Sequence, residues 1–229
     1  MNNIAIITAR GGSKRIPKKN IKSFFGKPMV VYAIEACRQS AVFSEVMVST
    51  DCAEIAEIAK RYGAKVPFMR SAKTSDDFAG TYEVLEEVLS EYKKSGQNFD
   101  YICCVYPCVP FLKSQTLKTA CEKMVAMNMD ALIPVCPYPV PIEWAMRIEN
   151  GLLKPHDRAA QMIRSQDLTS KYYDAGMFYF IKNDILSAGK TLIPEKTFGY
   201  VMPVRECQDI DTQEDWESAE IKYRILQEI

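Results

Sequence analysis

The sequence predicts an α/β protein built on a mainly parallel sheet. Apolar runs at residues 4–7, 100–106 and 131–135 lack the polar–apolar alternation of a sheet with one face in water. Strands of that kind are buried on both faces, as in parallel sheets. Segments with helical periodicity separate the runs, and such β-α-β alternation favours right-handed crossovers. With 229 residues, 48% of them hydrophobic, the chain suits one domain with its own core.

The first half of the chain divides into well-marked elements. Pro28 fits the first turn of a helix, Asp51 is a candidate cap for a second helix, and Gly63 suits the end of that helix. The predicted order is a strand at 4–7, a helix at 28–40, a strand at 46–50, a helix at 53–62, an extended segment at 66–68, a helix at 82–94 and a strand at 100–106.

The second half contains a long irregular segment between regular elements. The regular elements are a helix at 114–127, a strand at 131–135, a strand at 177–181, a helix at 183–188, a strand at 200–202 and a helix at 212–227. Between them, residues 137–171 are polar and rich in proline. So long an excursion is usually functional or in contact with a partner. We therefore predict an arm or small subdomain with β structure, inserted into a single domain spanning 1–229; the alternative is a floppy insertion.

The first strand runs directly into a glycine-rich, basic loop. Gly11 and Gly12 lie within it, and six cationic residues fall between residues 10 and 22. Glycine lets backbone N–H groups approach a ligand, and Lys and Arg form charge-assisted bonds to phosphate oxygens. Open α/β sheets bind ligands at this end of their strands. The loop matches neither G-x-x-x-x-G-K-[ST] nor G-x-G-x-x-G. It predicts a triphosphate site; the alternative is an ordinary basic surface loop.

Composition narrows the class of partner. The 29 basic and 29 acidic residues give a net charge of zero, whereas a protein that coats nucleic acid or an anionic membrane usually carries a positive surplus. No apolar run approaches the ~20 residues of a membrane span, and no signal peptide is predicted at the N-terminus. Eight cysteines without C-x-x-C spacing and one histidine, His156, argue against zinc or haem. We predict a reduced, cytoplasmic protein.

Two further polar segments are candidates for ligand contact. In the polar loop at 71–80 and just after it, Ser75, Asp76 and Thr81 either meet a nucleotide or cap the next helix. In the segment before the last helix, Asp209 and Asp211 are spaced so that an extended backbone presents both carboxylates to one side. Mg²⁺ uses a few carboxylates together with water and substrate phosphates. The competing role for Asp211 or Thr212 is capping of the last helix.

Five stretches resemble the acylneuraminate cytidylyltransferases, also called CMP-sialic acid synthetases. They cover nearly the whole chain in order: residues 9–20, 48–51, 164–168, 174–179 and 209–216. Relatives that act on sialic acid or KDO commonly carry a Gln-Pro-Thr-Ser-Pro type loop where this chain has Tyr106-Pro107-Cys108. Sialic acid enzymes also tend to have Asn-Gly where it has Asp174-Ala175-Gly176. These details resemble most the bacterial pseudaminic acid branch.

The resemblance implies a Rossmann-like, three-layer nucleotide-diphospho-sugar transferase fold whose arm reaches a second subunit in a homodimer. It implies that CTP and a nine-carbon 2-keto sugar acid react to give the CMP-sugar and pyrophosphate with Mg²⁺ as cofactor. The implied catalytic residues are Arg10, Lys19 and Asp211, with Asp209 and Asp211 as metal ligands. The implied nucleotide contacts are Ala9, Arg10, Gly11, Gly12, Ser13, Lys14, Lys19, Asn20, Ser75, Asp76 and Thr81, and the implied sugar contacts are Tyr106, Arg164, Gln166, Asp174, Ala175 and Gly176.

Several alternatives stay open at this stage. Arg164 suits the carboxylate of the sugar acid and equally a salt bridge in a dimer interface. The same reaction on N-acetylneuraminate, legionaminate or KDO is the nearest alternative activity. A non-catalytic nucleotide-sugar binding protein on the same fold is the alternative from another class, and the retained pair Asp209 and Asp211 argues against it.

Overall fold

The computed structural model describes residues 1–76, 79–189 and 191–228. Its strands are β1 (Asn3–Thr8), β2 (Ser23–Phe24), β3 (Lys27–Pro28), β4 (Glu45–Ser49), β5 (Tyr101–Val105), β6 (Ala131–Pro137), β7 (Met146–Glu149), β8 (Leu152–Pro155), β9 (Tyr172–Asp174), β10 (Phe178–Lys182) and β11 (Thr197–Val201). Its α-helices are α1 (Met29–Ser40), α2 (Ala53–Arg61), α3 (Thr81–Lys94), α4 (Ser114–Ala126), α5 (Asn183–Gly189) and α6 (Gln213–Gln227).

A seven-stranded sheet forms the centre of the molecule. Its order is β11-β6-β10-β5-β1-β4, and β9 pairs with β6. The pairings β1–β4, β1–β5 and β6–β11 are parallel. β10 is antiparallel to both of its neighbours, β5 and β6, and β9 is antiparallel to β6. The carboxyl ends of β1, β4 and β5 therefore meet at one edge, next to the residues that lead into β10.

Both faces of the sheet are covered, which confirms the predicted three layers. One apolar cluster packs Ala5 and Ile7 of β1 with residues of α1, α2 and α4. The other packs Ile4 and Ile6 with residues of α3 and α5. Because successive residues of a strand point to opposite faces, a strand covered on both sides is apolar at every position. A third cluster, centred on Phe24 and Trp216, seats α6 against the segment that enters α1.

The predicted helices and strands occur in the predicted order, with differences in strand direction and in helix capping. The prediction of parallel strands did not include the antiparallel direction of β10, because an apolar run carries no sign of strand direction. Asp51 does not cap α2: the N-cap is Cys52, without a side-chain hydrogen bond. Thr81 does not cap α3 either, since Gly80 occupies the N-cap and Thr81 is the first helical residue.

Residues 137–171 form an extension from the ends of β6 and β9. It contains the β7–β8 hairpin and three short 3-10 turns at Ile142–Trp144, Ala160–Met162 and Ser165–Asp167. The Trp144 indole donates to the Ala160 carbonyl at 3.3 Å, and Lys171 pairs with Glu143 at 2.7 Å. The segment therefore has its own internal contacts, and its role as an arm or small subdomain stays a prediction.

Two findings bear on the compartment predictions. Among the described residues, no helix is long and apolar enough to cross a membrane. The sulfur atoms of Cys136 and Cys207 lie side by side across a sequence separation of 71, and the reduced state of the chain stays a prediction. Cys136 lies in β6 and Cys207 follows β11, and the parallel pairing of these strands brings the two residues together. Nothing in the cysteine spacing signals that proximity.

Candidate active site

The glycine-rich loop after β1 is fastened to the end of β4. The Ala9 N–H donates to the Ser49 carbonyl at 3.0 Å, and the Gly11 N–H donates to Asp51 Oδ1 at 2.7 Å. A Cβ added at Gly11 would lie 2.9 Å from the Cβ of Cys52, so only glycine fits there. The Gly11 N–H, predicted to face the nucleotide, is therefore engaged within the protein.

Gly12, unlike Gly11, has open space where a side chain would be. A Cβ built on it meets no atom of the described chain within 4 Å. Ser13 follows, and its N–H donates back to the Gly11 carbonyl at 3.0 Å. The turn thus has an open side at Gly12, while Gly11 holds the turn against α2. The two glycines, predicted to act together, have separate roles.

A cleft of about 170 Å³ lies between this loop, the end of β5 and the segment before α6. Its walls are mostly cationic or hydrogen-bonding side chains. They belong to Thr8, Arg10, Ser13, Lys14, Arg15, Ile16, Lys19, Asn20, Pro107 and Asp211. Four cations around so small a space form a site for a polyanion, since Arg and Lys make charge-assisted bonds to phosphate oxygens. Of the eleven implied nucleotide contacts, five line this cleft: Arg10, Ser13, Lys14, Lys19 and Asn20.

Lys19 is directed towards the segment before α6. It lies in a 3-10 turn (Lys19–Ile21), and the preceding Lys18 is in the left-handed conformation with φ 51°. The Lys19 ammonium donates to the Ile210 carbonyl at 2.6 Å and lies 3.3 Å from Asp211 Oδ1. Its side chain is only 19% exposed. The charge is therefore held in place at the cleft wall.

The Asp211 side chain does not cap α6, which removes one of the two roles considered for it. Thr212 is the N-cap of α6 and forms a capping box with Asp215. The Asp211 carboxylate is paired with Arg15 at 2.9 Å and with Lys19 at 3.3 Å. Desolvation and the neighbouring Asp211 carboxylate raise the pKa of Asp209.

The donor set of this pair suits one kind of metal site. Within the described ranges, no group of three or more His, Cys, Asp or Glu side chains is arranged to hold a metal by itself. Two carboxylates beside a cationic phosphate cleft are sufficient for Mg²⁺, which takes its remaining oxygens from water and substrate phosphates. Asp209 and Asp211 therefore fit a metal that is completed by its substrate.

Asn20 joins the glycine-rich loop to the loop after β5. Its side chain is 4% exposed, and its amide donates to the Arg10 carbonyl at 2.8 Å. The Cys108 thiol donates to Asn20 Oδ1 at 3.3 Å, and burial raises the pKa of that thiol to about 12. Cys108 is thus a neutral donor rather than a nucleophile. Asn20, predicted to contact nucleotide, holds the backbone of Arg10 in place.

The loop at 71–80 contacts Arg10 of the glycine-rich loop through its backbone. The Arg10 guanidinium donates to the Asp76 carbonyl at 3.0 Å. The Ser75 hydroxyl donates to the Ser71 carbonyl at 2.7 Å, and the Asp76 carboxylate accepts from the Ala79 N–H at 2.7 Å. Thr81 shares a hydrogen bond of 3.3 Å with the Tyr106 hydroxyl. The loop therefore does reach Arg10, although the Ser75 and Asp76 side chains shape the loop itself. Residues 77 and 78 lie outside the described part of the chain.

Three of the predicted sugar contacts form one corner between β9 and β10. Asp174 Oδ1 accepts from the Gly176 N–H at 2.8 Å, and Gly176 has φ 62°, the left-handed region that favours glycine. The Ala175 N–H donates to the Pro134 carbonyl at 3.0 Å. Tyr106 reaches the same corner, since its N–H donates to the Met177 carbonyl at 2.9 Å.

Arg164 and Gln166 lie elsewhere. Both belong to the extension at 137–171 and both are exposed. The Arg164 guanidinium pairs with Asp167 at 2.9 Å, three residues along the chain. The structure therefore places these two predicted sugar contacts on the arm, apart from the residues that line the cationic cleft.

Two side chains at this edge were not among the predicted site residues. Arg70 is 8% exposed and donates through Nη2 to the Ser49 carbonyl at 2.7 Å; burial lowers the pKa of its guanidinium, and the Asp51 charge opposes that shift. Tyr179 is 5% exposed and donates to Asp174 Oδ2 at 2.6 Å. Arg70 has no motif around it, and Tyr179 is indistinguishable from a core aromatic within an apolar strand. Only the folded structure shows that Arg70 and Tyr179 lie at this edge of the sheet.

The whole chain was compared with known proteins. The cytidylyltransferase family model matches residues 4–222. This chain belongs to the cytidylyltransferase family. Family members are nucleotidyltransferases, which agrees with a cleft suited to a triphosphate.

Similar proteins carry several acceptor names. The chain is 39% identical over 229 residues to the pseudaminic acid cytidylyltransferase of Campylobacter jejuni, covering 100% of this chain and 99% of that one. It is 31% identical over 239 residues to the CMP-N,N'-diacetyllegionaminic acid synthase of Legionella pneumophila, covering 100% and 99%. Among solved structures, a CMP:2-keto-3-deoxy-manno-octonic acid synthetase in complex with CTP has a TM-score of 0.71 at 18% identity, with both chains covered completely. That structural likeness confirms the fold.

Proposed function

We propose that this enzyme transfers CMP from CTP to pseudaminic acid, giving CMP-pseudaminic acid and pyrophosphate. The observation that carries the proposal is the end-to-end likeness, at 39% identity, to a pseudaminic acid cytidylyltransferase. The loops that differ from the sialic acid pattern, at Tyr106 and Asp174, are the ones the structure joins into one corner near the cleft. This supports the proposed acceptor.

The chemistry requires no protein nucleophile. The anomeric hydroxyl of the sugar acid attacks the α-phosphorus of CTP; the new P–O bond forms as the bond to the β-phosphate oxygen breaks, and pyrophosphate leaves. Such transfers depend on positioning and charge neutralisation. Arg10 and Lys14 line the cleft and hold the phosphates in this proposal. Lys19, fixed by the Ile210 carbonyl, stabilises the charge that develops at the α-phosphate.

Asp209 and Asp211 are the residues that would hold Mg²⁺. When bound there, the metal would neutralise phosphate charge and lower the pKa of the attacking hydroxyl. Arg15 and Lys19 pair with the Asp211 carboxylate at 2.9 Å and 3.3 Å, so a metal held there would lie beside two cations that also line the cleft. The pair Asp209 and Asp211 supports a catalytic function over mere nucleotide binding.

The first test is pyrophosphate release with CTP and Mg²⁺ across pseudaminic, legionaminic, N-acetylneuraminic and KDO acids. We expect turnover on pseudaminic acid. Turnover on another acid alone would keep the reaction and overturn the acceptor. CTP binding without pyrophosphate release on any of the acids would favour the non-catalytic nucleotide-sugar binding protein. A cytoplasmic location belongs to the same proposal, because nucleoside triphosphates are made there.

We also propose that the extension at 137–171 joins two copies into a homodimer. In the β7–β8 hairpin, Ile148 is 74% exposed and its Cα partner Leu153 is 63% exposed. Met146, two residues from Ile148 and so on the same face, is 54% exposed. An apolar face of this kind usually marks an interface. Arg164 and Gln166, on the same extension, would then serve a neighbouring subunit's site.

Removing the arm is expected to give a monomer. Pro137 and Tyr172 are Cα partners in the β6–β9 pairing, and the Tyr138 N–H donates to the Lys171 carbonyl at 3.0 Å. An Asn-Gly turn in place of residues 139–170 therefore closes a regular hairpin. Sedimentation should show the deletion variant as a monomer and the intact chain as a dimer. An intact dimer after deletion would contradict the arm's role.

Point variants provide the control for that deletion. Ile148→Lys places a charge on the apolar face of the hairpin and should weaken the dimer. Leu152→Lys places the same charge opposite Glu149, on the face that also carries Lys154, and should leave the dimer intact. Equal behaviour of the two variants would rule out this hairpin face as the interface.

A further inference from the structure

Tyr179 links the corner formed by Asp174, Ala175 and Gly176 to the interior of the sheet. It lies in β10, opposite Cys104 of β5, and is 5% exposed. Its hydroxyl donates to Asp174 Oδ2 at 2.6 Å, while Asp174 Oδ1 accepts from the Gly176 N–H at 2.8 Å. One donor on each oxygen fixes the carboxylate in one orientation. A carboxylate has about four lone-pair positions, so acceptor capacity remains for a ligand.

Tyr106 continues this connection towards the nucleotide side. Its ring packs edge-on against Tyr179, with centroids 5.4 Å apart and planes at 63°. Its hydroxyl shares a hydrogen bond with Thr81 in the first turn of α3. Burial raises the pKa of both phenols, so both stay neutral. The two rings therefore connect the loop that reaches Arg10 with the corner at Asp174.

We infer that Tyr179 is a positioning residue for acceptor recognition: it aims the Asp174 carboxylate at a hydroxyl or amide N–H of the sugar acid. This inference rests on the proposed function. An ionised carboxylate only accepts hydrogen bonds, whereas an asparagine amide at this position both donates and accepts. Asp174 held by Tyr179 thus selects acids that present a donor there. Tyr179 itself, buried beneath Asp174, acts through it.

The test is the steady-state kinetics of Tyr179→Phe with the sugar acid and CTP varied in turn. Loss of the hydrogen bond to a charged group should raise KM for the sugar acid about tenfold or more. KM for CTP should stay within about twofold, since Asp174 does not touch the cationic cleft wall in this structure. Asp174→Asn should likewise raise KM for the sugar acid and leave KM for CTP nearly unchanged. Tyr82→Phe is the matched control, because its hydroxyl bonds to Glu86 on the outer surface of α3; it should change neither KM.

The outcomes separate the two proposals. Wild-type enzyme that turns over the acid, with Tyr179→Phe unchanged in KM for the acid, would overturn the positioning role alone. If KM rose equally for the sugar acid and for CTP, or if only kcat fell, Tyr179 would have a general structural role. Either result would also overturn the positioning role. Wild-type enzyme inactive on every acid would overturn the proposed function together with this inference.

Discussion

Lys19→Ala is expected to lower kcat by about 10²-fold or more, the scale for removing one preorganised electrostatic contact. The structure ties the Lys19 ammonium to a backbone carbonyl on the opposite wall of the cleft, that of Ile210, at 2.6 Å. A charge fixed in advance requires no reorganisation when negative charge develops at the α-phosphate. Pyrophosphate release under saturating CTP and sugar acid measures the effect.

Lys18→Ala is the matched control for that variant. Lys18 is the adjacent lysine, but its ammonium pairs with Glu54 on the surface at 2.7 Å and its side chain is 69% exposed. Exposed pairs of this kind contribute little, so kcat should change by less than about twofold. If Lys19→Ala raised only KM for CTP, Lys19 would be a binding residue rather than one that stabilises the transition state.

Asp211→Asn is expected to remove most turnover while leaving the fold intact. The capping of α6 depends on Thr212 and Asp215, so the substitution does not disturb the helix. The asparagine keeps the shape of the side chain but loses the charge that a divalent cation requires. A loss of about 10²-fold or more in kcat is expected, with a higher Mg²⁺ concentration needed for half-maximal rate. Near-normal Mg²⁺-dependent activity would remove Asp211 from the metal site.

The Mg²⁺ titration separates two effects of the same substitution. Asp211 also pairs with Lys19 at 3.3 Å, so kcat alone does not distinguish a lost metal ligand from a displaced lysine. A displaced lysine lowers kcat at every Mg²⁺ concentration without moving the midpoint. Glu214→Gln is the control, since it removes an acidic charge from the first turn of the same helix without touching the pair. Its midpoint and kcat should match those of the wild type.

Much of this site could be predicted because its signals are local. The glycines and cations of residues 10–19 follow β1 without interruption, so one strand and its loop specify a phosphate site at the carboxyl edge. The spacing of Asp209 and Asp211 likewise places two carboxylates together whatever the rest of the chain does. The sequence could not decide between metal binding and capping there, because both use the same residue types. The capping box assigns the cap to Thr212 and Asp215, and metal binding by Asp211 stays a proposal.

By itself the sequence determined the α/β order of the elements, the cationic loop, the spacing of the acidic pair and the irregular segment at 137–171, since each depends on periodicity or on neighbours along the chain. The tertiary structure alone decided what depends on contacts between distant segments. These are the antiparallel direction of β10, the Gly11 bond to Asp51, the burial of Arg70, the proximity of Cys136 and Cys207 and the Tyr179 bond to Asp174. The physical reason is that strand order in the sheet brings these residues together, and an apolar run records burial but not which strand lies beside it.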